Sequence, residues 1–276
     1  AAAIIKCEVD GRDAYCNNVK FGWRFFPRNI ARESEPFIIP ADKPDDTYRI
    51  FVLGASAAKG EPDPAFCFGR FLRLMLQEGY PSVKFELIAI TMTAINSHVV
   101  LEIAKDCARH DADLFIVYLG NNEVVGPYGA GTVFAPLSAR LSVIRIGIAL
   151  KATRLGQLLT KLLESVGGEK DVPKVWRGLE MFLNNQVRAD APHLETVYQN
   201  FERNLEDIRR IARKSGVRAI FCTVGSNLKD SPPFASLHQL DLTQTERKKW
   251  DEIYQQGAEH ELAGDYAEAV ERYLAA

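Results

Sequence analysis

The stretch TYRIFVLGASAAKG, Thr47 to Gly60, decides the fold. Its first eight residues read as a β-strand that is apolar on both faces, the pattern of a parallel sheet covered from two sides. The strand runs straight into a loop of small residues. Outward from it the rhythm repeats. PAFCFGRFLRLMLQEGY has helical spacing in Phe66, Phe71, Leu72, Leu74 and Leu76 and stops at Gly79. VKFELIAI is a second strand, and INSHVVLEIAKDCARH a second helix with Val99, Val100, Ile103 and Cys107 on one face. DLFIVYLG is a third strand, followed by the glycine-rich loop NNEVVGPYGAG. LETVYQNFERNLEDIRRIARKSG is a long amphipathic helix stopped by Gly216, and VRAIFCTVG a fourth strand. Strands alternating with helices predict a three-layer α/β/α domain with a parallel sheet, its sites in loops beyond the carboxyl ends of the strands.

That domain spans residues 47–240. Residues 1–46 break their aromatic clusters, such as FGWRFFP, with Gly11, Pro27, Pro36, Pro40 and Pro44, and read as an irregular arm laid over the domain. Between the third strand and the long helix, ARLSVIRIGIALKATRLGQLLTKLLESV reads as one or two helices and KVWRGLEMFLNNQ as another. The run LSVIRIGIAL is too short to span a bilayer, and the expectation is a buried helix. From residue 241 to 276 the pattern becomes helix, turn, helix. Gly257, Gly264, Tyr266, Ala269, Tyr273 and Ala276 match the spacing of small and aromatic residues in a tetratricopeptide repeat. One repeat does not bury its own face, so the array is expected to continue.

The chain of 276 residues has a net charge of −2, which gives no basic excess for a nucleic-acid partner. Cys67, Cys107 and Cys222 sit in apolar patterns as reduced core residues. Cys7 and Cys16 flank the polar turn of CEVDGRDAYC, and two states stay open: reduced, or bridged in an oxidising compartment. The chain starts without Met, which leaves open a removed signal or a membrane anchor upstream of Ala1.

Three kinds of loop follow a strand in this way. A phosphate loop needs Lys after its second glycine and a helix at once; here Lys59 precedes Gly60, and Pro62 and Pro64 delay the helix. A G-x-S-x-G nucleophile elbow follows several strands, whereas this loop follows the first. The third kind is carried by several blocks in order. Gly54-Ala55-Ser56 ends the first strand, LIAITMTAINS the second, and Gly120-Asn121-Asn122-Glu123 follows the third. In these blocks the chain resembles the SGNH (GDSL-type) hydrolases over about Thr47 to Leu240. VGSNLKDSPPF also looks like the substrate-side loop of relatives with tetratricopeptide tails.

The resemblance implies a flavodoxin-like SGNH fold and a serine esterase or acyltransferase acting on a small acyl ester or an acylated carbohydrate. Ser56 is its nucleophile. The oxyanion donors are the N–H groups of Ser56 and Thr91 and the side-chain amide of Asn122. Gly54, Gly120, Asn121 and Glu123 line the substrate side, with Glu123 and Asn121 ordering the loop. Ala55, Ala57 and Ala58 leave room for an acyl group. No cofactor is implied, and no His/Cys cluster at metal-ligand spacing points to a metal. An extracytoplasmic, membrane-associated bacterial protein, with a protein partner on the tetratricopeptide surface, is the implied setting.

One block of that family is missing. Its catalytic Asp-x-x-His lies late in the domain, and Asp190-Ala191-Pro192-His193 comes before the long helix, where His193 reads as a helix start. His238 follows the fourth strand without a matching Asp. His98 reads as a helix N-terminal residue hydrogen-bonded to backbone or as a site-lining residue, and His110 and His260 as exposed helix residues. Two accounts follow: the block lies beyond Ala276, or the fold is kept as a non-catalytic scaffold that docks on a larger assembly. A carbohydrate-binding module reusing the cleft is a third.

Overall fold

The computed structural model describes residues 2–134, 140–158, 162, 175–227 and 237–276. The chain forms two compact units, Ala1–Ser231 and Pro232–Ala276.

The first unit opens with three antiparallel strands, β1 (Ile4–Val9), β2 (Arg12–Asn17) and β3 (Ile38–Pro40), in the order β1-β2-β3. This corrects the irregular arm expected for residues 1–46. Gly11 (φ +74) and Asp10 (φ +50) make the tight turn that lets β1 fold onto β2. Cys7 and Cys16 are bridged across that pair, which resolves the open alternative. The arm's Phe21, Phe25 and Phe26 are part of the main core.

The four predicted strands of the domain are present: β4 (Thr47–Gly54), β5 (Lys84–Thr91), β6 (Leu114–Tyr118) and β7 (Arg218–Cys222). All pair in parallel, in the order β5-β4-β6-β7. Side-chain alternation divides β4 between two cores: Phe51 and Leu53 face the main one, Ile50 and Val52 the other. The main face is covered by α3 (Ser97–Cys107), α4 (Leu141–Ala152) and α5 (His193–Lys214), through residues such as Val99, Ile103, Ile144, Ile148, Ile208 and Ala212. The other face is covered by α2 (Phe68–Gly79), which follows the four-residue α1 (Ser56–Lys59). The sheet is therefore parallel and flanked by helices on both faces.

Three readings of helix faces change. On α2 the sheet-facing residues are Phe68, Leu72 and Leu76, whereas Phe71 and Leu74 are exposed and Phe66 belongs to a preceding 3-10 turn. Helix α4 is only half buried, because, of its apolar residues, only Ile144 and Ile148 are buried while Val143, Ile146 and Leu150 are exposed. Gly178–Asn185 is a 3-10 helix rather than an α-helix, with Phe182 its single buried residue. All of ESVGGEK and all of the loop beyond Asn227 through Ser236 lie outside the described residues, and with them most of the loop compared with tetratricopeptide-tailed relatives.

The second unit is a hairpin of α6 (Gln244–Leu262) and α7 (Tyr266–Ala275). Thr243 and Glu246 close a reciprocal cap on α6. Gly257 lies under Tyr273: an added Cβ would stand 2.8 Å from its ring.

Candidate functional site

The register of the sheet sets the site. Gly54 at the carboxyl end of β4 is level with Thr91 of β5 on one side and Tyr118 of β6 on the other. The chain steps from β4 to β5, then crosses back over to β6. The loops leaving β4 and β6 therefore part at a topological switch point, where α/β sheets open a crevice. Gly54 has no room for a side chain, since a Cβ would lie 2.4 Å from the Tyr118 carbonyl oxygen and 2.5 Å from the Ala58 Cβ. Its absence lets α1 turn back at once, which sets the half-buried Ser56 as the first residue of that turn. Gly60, at φ +93, closes the turn, its N–H donating to the Ser56 carbonyl at 3.0 Å. Ala55 and Ala58 are buried and Ala57 is exposed, so of the three alanines only Ala57 faces open space.

Across the crevice, Gly120 stands at φ +143, a conformation glycine favours, and turns the chain out of β6. Asn121 is exposed and Asn122 half buried. The Asn122 amide donates one N–H to the Ile95 carbonyl at 3.1 Å, which fixes its plane and leaves its second N–H to donate elsewhere. Glu123 is buried. Its carboxylate accepts from the backbone N–H of Ser97 at 2.8 Å and from the Ser97 hydroxyl at 2.7 Å. Burial pushes its pKa up to about 7, against the pull of these two hydrogen bonds. Ser97 is fully buried as well, and the pair ties the loop after β6 to the start of α3.

The same knot continues inward. Asn204 of α5 donates to the Ser97 hydroxyl at 2.9 Å and stands 3.1 Å from His98 Nδ1, while Arg145 donates to its carbonyl oxygen at 3.0 Å. His98 thus has a side-chain partner rather than a backbone one. Burial, with the nearby Arg145 charge, lowers its pKa to about 4 and keeps it neutral at pH 7.

Thr91 ends β5, but its amide does not face the crevice. The next amide, Met92 N–H, donates to Gly54 at 3.3 Å, and strand alternation turns the Thr91 N–H toward the opposite edge. The residue that stands in the turn after β5 is Ala94, at φ +61 in the left-handed region. No spacing in the sequence marks it.

A charged rim borders Ser56, and sequence reading missed its purpose. Lys59, one helical turn on, pairs with Glu35 at 3.0 Å and Glu61 at 3.1 Å. Burial opposes its charge, but the two carboxylates hold its pKa above the ordinary value, so it stays protonated. Glu61 in turn accepts from the Thr93 hydroxyl, which with Lys59 holds its carboxyl below the ordinary range. Glu35 arrives from the arm, where Ser34 forms a bridge to Met92. The arm thus contributes a carboxylate to the charges beside Ser56. Neither Lys59 nor Glu61 is suited to take a proton at neutral pH.

No hydrogen bond or ion pair among the described residues joins Ser56 to a histidine. Asp190 pairs with Arg188 at 3.3 Å rather than with His193, which is the exposed first residue of α5. His110, expected on an exposed helix, lies past the end of α3 with its ring edge-on to Tyr15 at 4.4 Å. His238 and His260 belong to the second unit and lie near Asp251 and Asp265. Among the described residues no group of three or more His, Cys, Asp or Glu converges as for a metal ion. Comparison of the chain with protein-family models and with curated proteins finds no match to either.

Proposed function

We propose that this chain carries the nucleophile and the oxyanion donors of an SGNH-type serine esterase or acyltransferase. The observation that supports it most directly is the departure of Ser56 and Asn122 from the ends of the neighbouring strands β4 and β6. In this reading the Ser56 hydroxyl attacks the ester carbonyl and loses its proton to a base. The Ser56 N–H and the free N–H of Asn122 hold the new oxyanion. The alcohol leaves with that proton, and water or an acceptor hydroxyl then takes the acyl group from Ser56. Thr91 has no donor role in this scheme. The base in this scheme is a histidine, and among the described residues none is hydrogen-bonded to Ser56. The small acyl ester, the acylated carbohydrate and an extracytoplasmic bacterial setting belong to the same proposal, to which the Cys7–Cys16 bridge adds support through its need for an oxidising compartment.

A second reading is favoured by one observation: Lys59 is locked by two carboxylates beside a serine with no base among the described residues. On that reading the domain is a scaffold whose helical hairpin docks a protein partner. Labelling the natively isolated protein with a fluorophosphonate, followed by intact mass and peptide mapping, separates the two. The enzyme reading expects one adduct, on Ser56, absent from Ser56→Ala and reduced at least tenfold in rate by Asn122→Ala. An unlabelled protein that turns over no aryl acetate gives the scaffold reading.

A further inference from the structure

Three consecutive residues at the start of α3 clasp the loop that follows β6. The Ile95 carbonyl accepts from the Asn122 side-chain amide at 3.1 Å, and the Asn96 amide donates to the Pro127 carbonyl at 2.8 Å. Ser97 donates to Glu123 from both its backbone N–H and its hydroxyl. Gly126 makes the fit close: an added Cβ would stand 2.7 Å from the Asn122 carbonyl oxygen and 2.9 Å from the Asn96 Cβ. Asn96, Ser97 and Glu123 are buried, whereas Asn122 is half buried. The clasp therefore has its open end at Asn122 and its buried end at the carboxylate next in sequence.

The buried end depends on charge. Among the described residues, Ser97 supplies both hydrogen bonds that the Glu123 carboxylate accepts, one to each oxygen. Two accepting oxygens are what an ionised carboxylate offers, and a protonated one turns an oxygen into a donor. The acceptor at hand is the Ser97 hydroxyl oxygen, 2.7 Å away and already accepting from Asn204. That hydroxyl would then have to swing its own hydrogen away from Glu123. Burial brings this change to about pH 7. The charges packed around the knot are matched with one another. Arg145 of α4 pairs with Asp207 of α5 at 2.6 Å, and Arg24 of the arm, near Tyr128, pairs with Glu102 of α3 at 2.7 Å. His98 of α3 is neutral above its pKa of about 4, and burial raises Tyr128 to about 12.

We propose that Glu123 is the positioning residue of Asn122: its ionised carboxylate, acting through Ser97, holds the loop after β6 in the form that presents the second Asn122 N–H, and loss of that charge loosens it. The use of that N–H as an oxyanion donor rests on the esterase reading; the coupling of the two residues does not.

Nuclear magnetic resonance of the purified chain, labelled with nitrogen-15 at asparagine, tests the coupling. The Asn122 side-chain amide signals, identified by their loss in Asn122→Ala, should titrate with a midpoint of about 7. In Glu123→Gln, which keeps a neutral side chain of the same shape, they should stay fixed between pH 5.5 and 8.5. Ser97→Ala should move the midpoint upward, because the hydroxyl it removes favours the charged form. On the esterase reading, the ratio of fluorophosphonate labelling rates, parent over Glu123→Gln, should rise from about one at pH 5.5 to about tenfold at pH 8.5. The ratio cancels the titration of the base, and a side chain that served folding alone would leave it constant. Asn122 signals that do not titrate in the parent, or that titrate equally in Glu123→Gln, overturn the proposal, as does a ratio independent of pH. Should Glu123→Gln not fold, an unshifted midpoint in Ser97→Ala overturns it. A parent that takes no label at any pH while its Asn122 signals titrate as described brings down the esterase reading and leaves the positioning role standing.

Discussion

Ala94 is held at φ +61, where a Cβ crowds the following carbonyl and glycine does not. Ala94→Gly is therefore expected to gain about 0.5–1 kcal/mol in chemical denaturation, a net of relieved strain over the added freedom of the unfolded chain; a loss of stability would show that the alanine methyl, almost fully buried, is worth more than the strain. The position was not legible because φ leaves no mark on residue spacing, whereas Ser56 and Asn122 were legible because strand ends fix which loop residues come next. Glu123 and His98 show a second feature of single residues. Glu123 has a pKa of about 7 when folded against 4.5 ordinarily, so the folded chain keeps a proton the unfolded chain has lost. Its contribution makes stability fall as pH rises from 4.5 to 7. His98, at about 4 against 6.5, lacks a proton the unfolded chain binds, so its contribution makes stability fall as pH drops from 6.5 to 4. The two slopes oppose each other over the shared interval. Relative to the parent, Glu123→Gln should gain stability as pH rises through 4.5–7, and His98→Gln should gain it as pH falls through 6.5–4. Each change is of order 3 kcal/mol. Thermal melts of the three proteins from pH 4 to 7.5 measure the difference curves, and parallel curves would refute both assignments.

Arg49 shows how one buried charge joins whole elements. It stands in β4 with its side chain 1% exposed, ion-paired with Glu86 of β5. It also donates to the His110 carbonyl past α3 at 2.9 Å and to the Pro40 carbonyl of β3 at 3.2 Å. The arm's sheet is thus pinned to the parallel sheet by a guanidinium whose five donors suit three directions at once. Arg49→Met should cost roughly 2–4 kcal/mol, because Glu86 is left partly buried without its cation. Arg49→Met/Glu86→Leu should recover part of that loss, and a double variant no better than the single one in urea melts would show that the two carbonyls, not the ion pair, carry the cost. The arm itself escaped the sequence reading for a reason of scale. Strands of six, six and three residues separated by Pro and Gly resemble loop composition, and only the Cys7–Cys16 pair hinted at a hairpin. The strands β4 to β7 were legible since each is longer or more apolar and is followed by a helix or a turn signal.

For the molecule as a whole, the two faces of the parallel sheet are unequally covered. Among the described residues, the main face is closed by three helices and the arm's aromatics; the other has Ile50, Val52 and Ile116 as its buried residues, under α2. The asymmetry was not legible because alternation of strand and helix says that both faces are covered but not how thickly. Its consequence is exposed apolar surface: Phe71, Leu74 and Met75 on the outside of α2, and Ile220 on β7, half exposed. Apolar surface of this kind binds a hydrophobic dye in the native state, where a fully closed α/β domain would not. Leu74→Lys/Met75→Lys should therefore lower native-state anilinonaphthalene sulfonate fluorescence and leave Tm within about 1 °C, since neither side chain gives up a buried contact. Leu72→Lys, two positions before Leu74 but turned to the sheet, should instead cost about 2–4 kcal/mol and raise dye binding, because it loses apolar packing and forces an ammonium against Val52 and its neighbours. Dye fluorescence that ignores the first variant, or a Tm that drops equally in both, would mean that α2 presents a different face from the one described. Opposite responses from two leucines two positions apart would show the second core to be thin yet ordered, held by a single helix through one stripe of side chains.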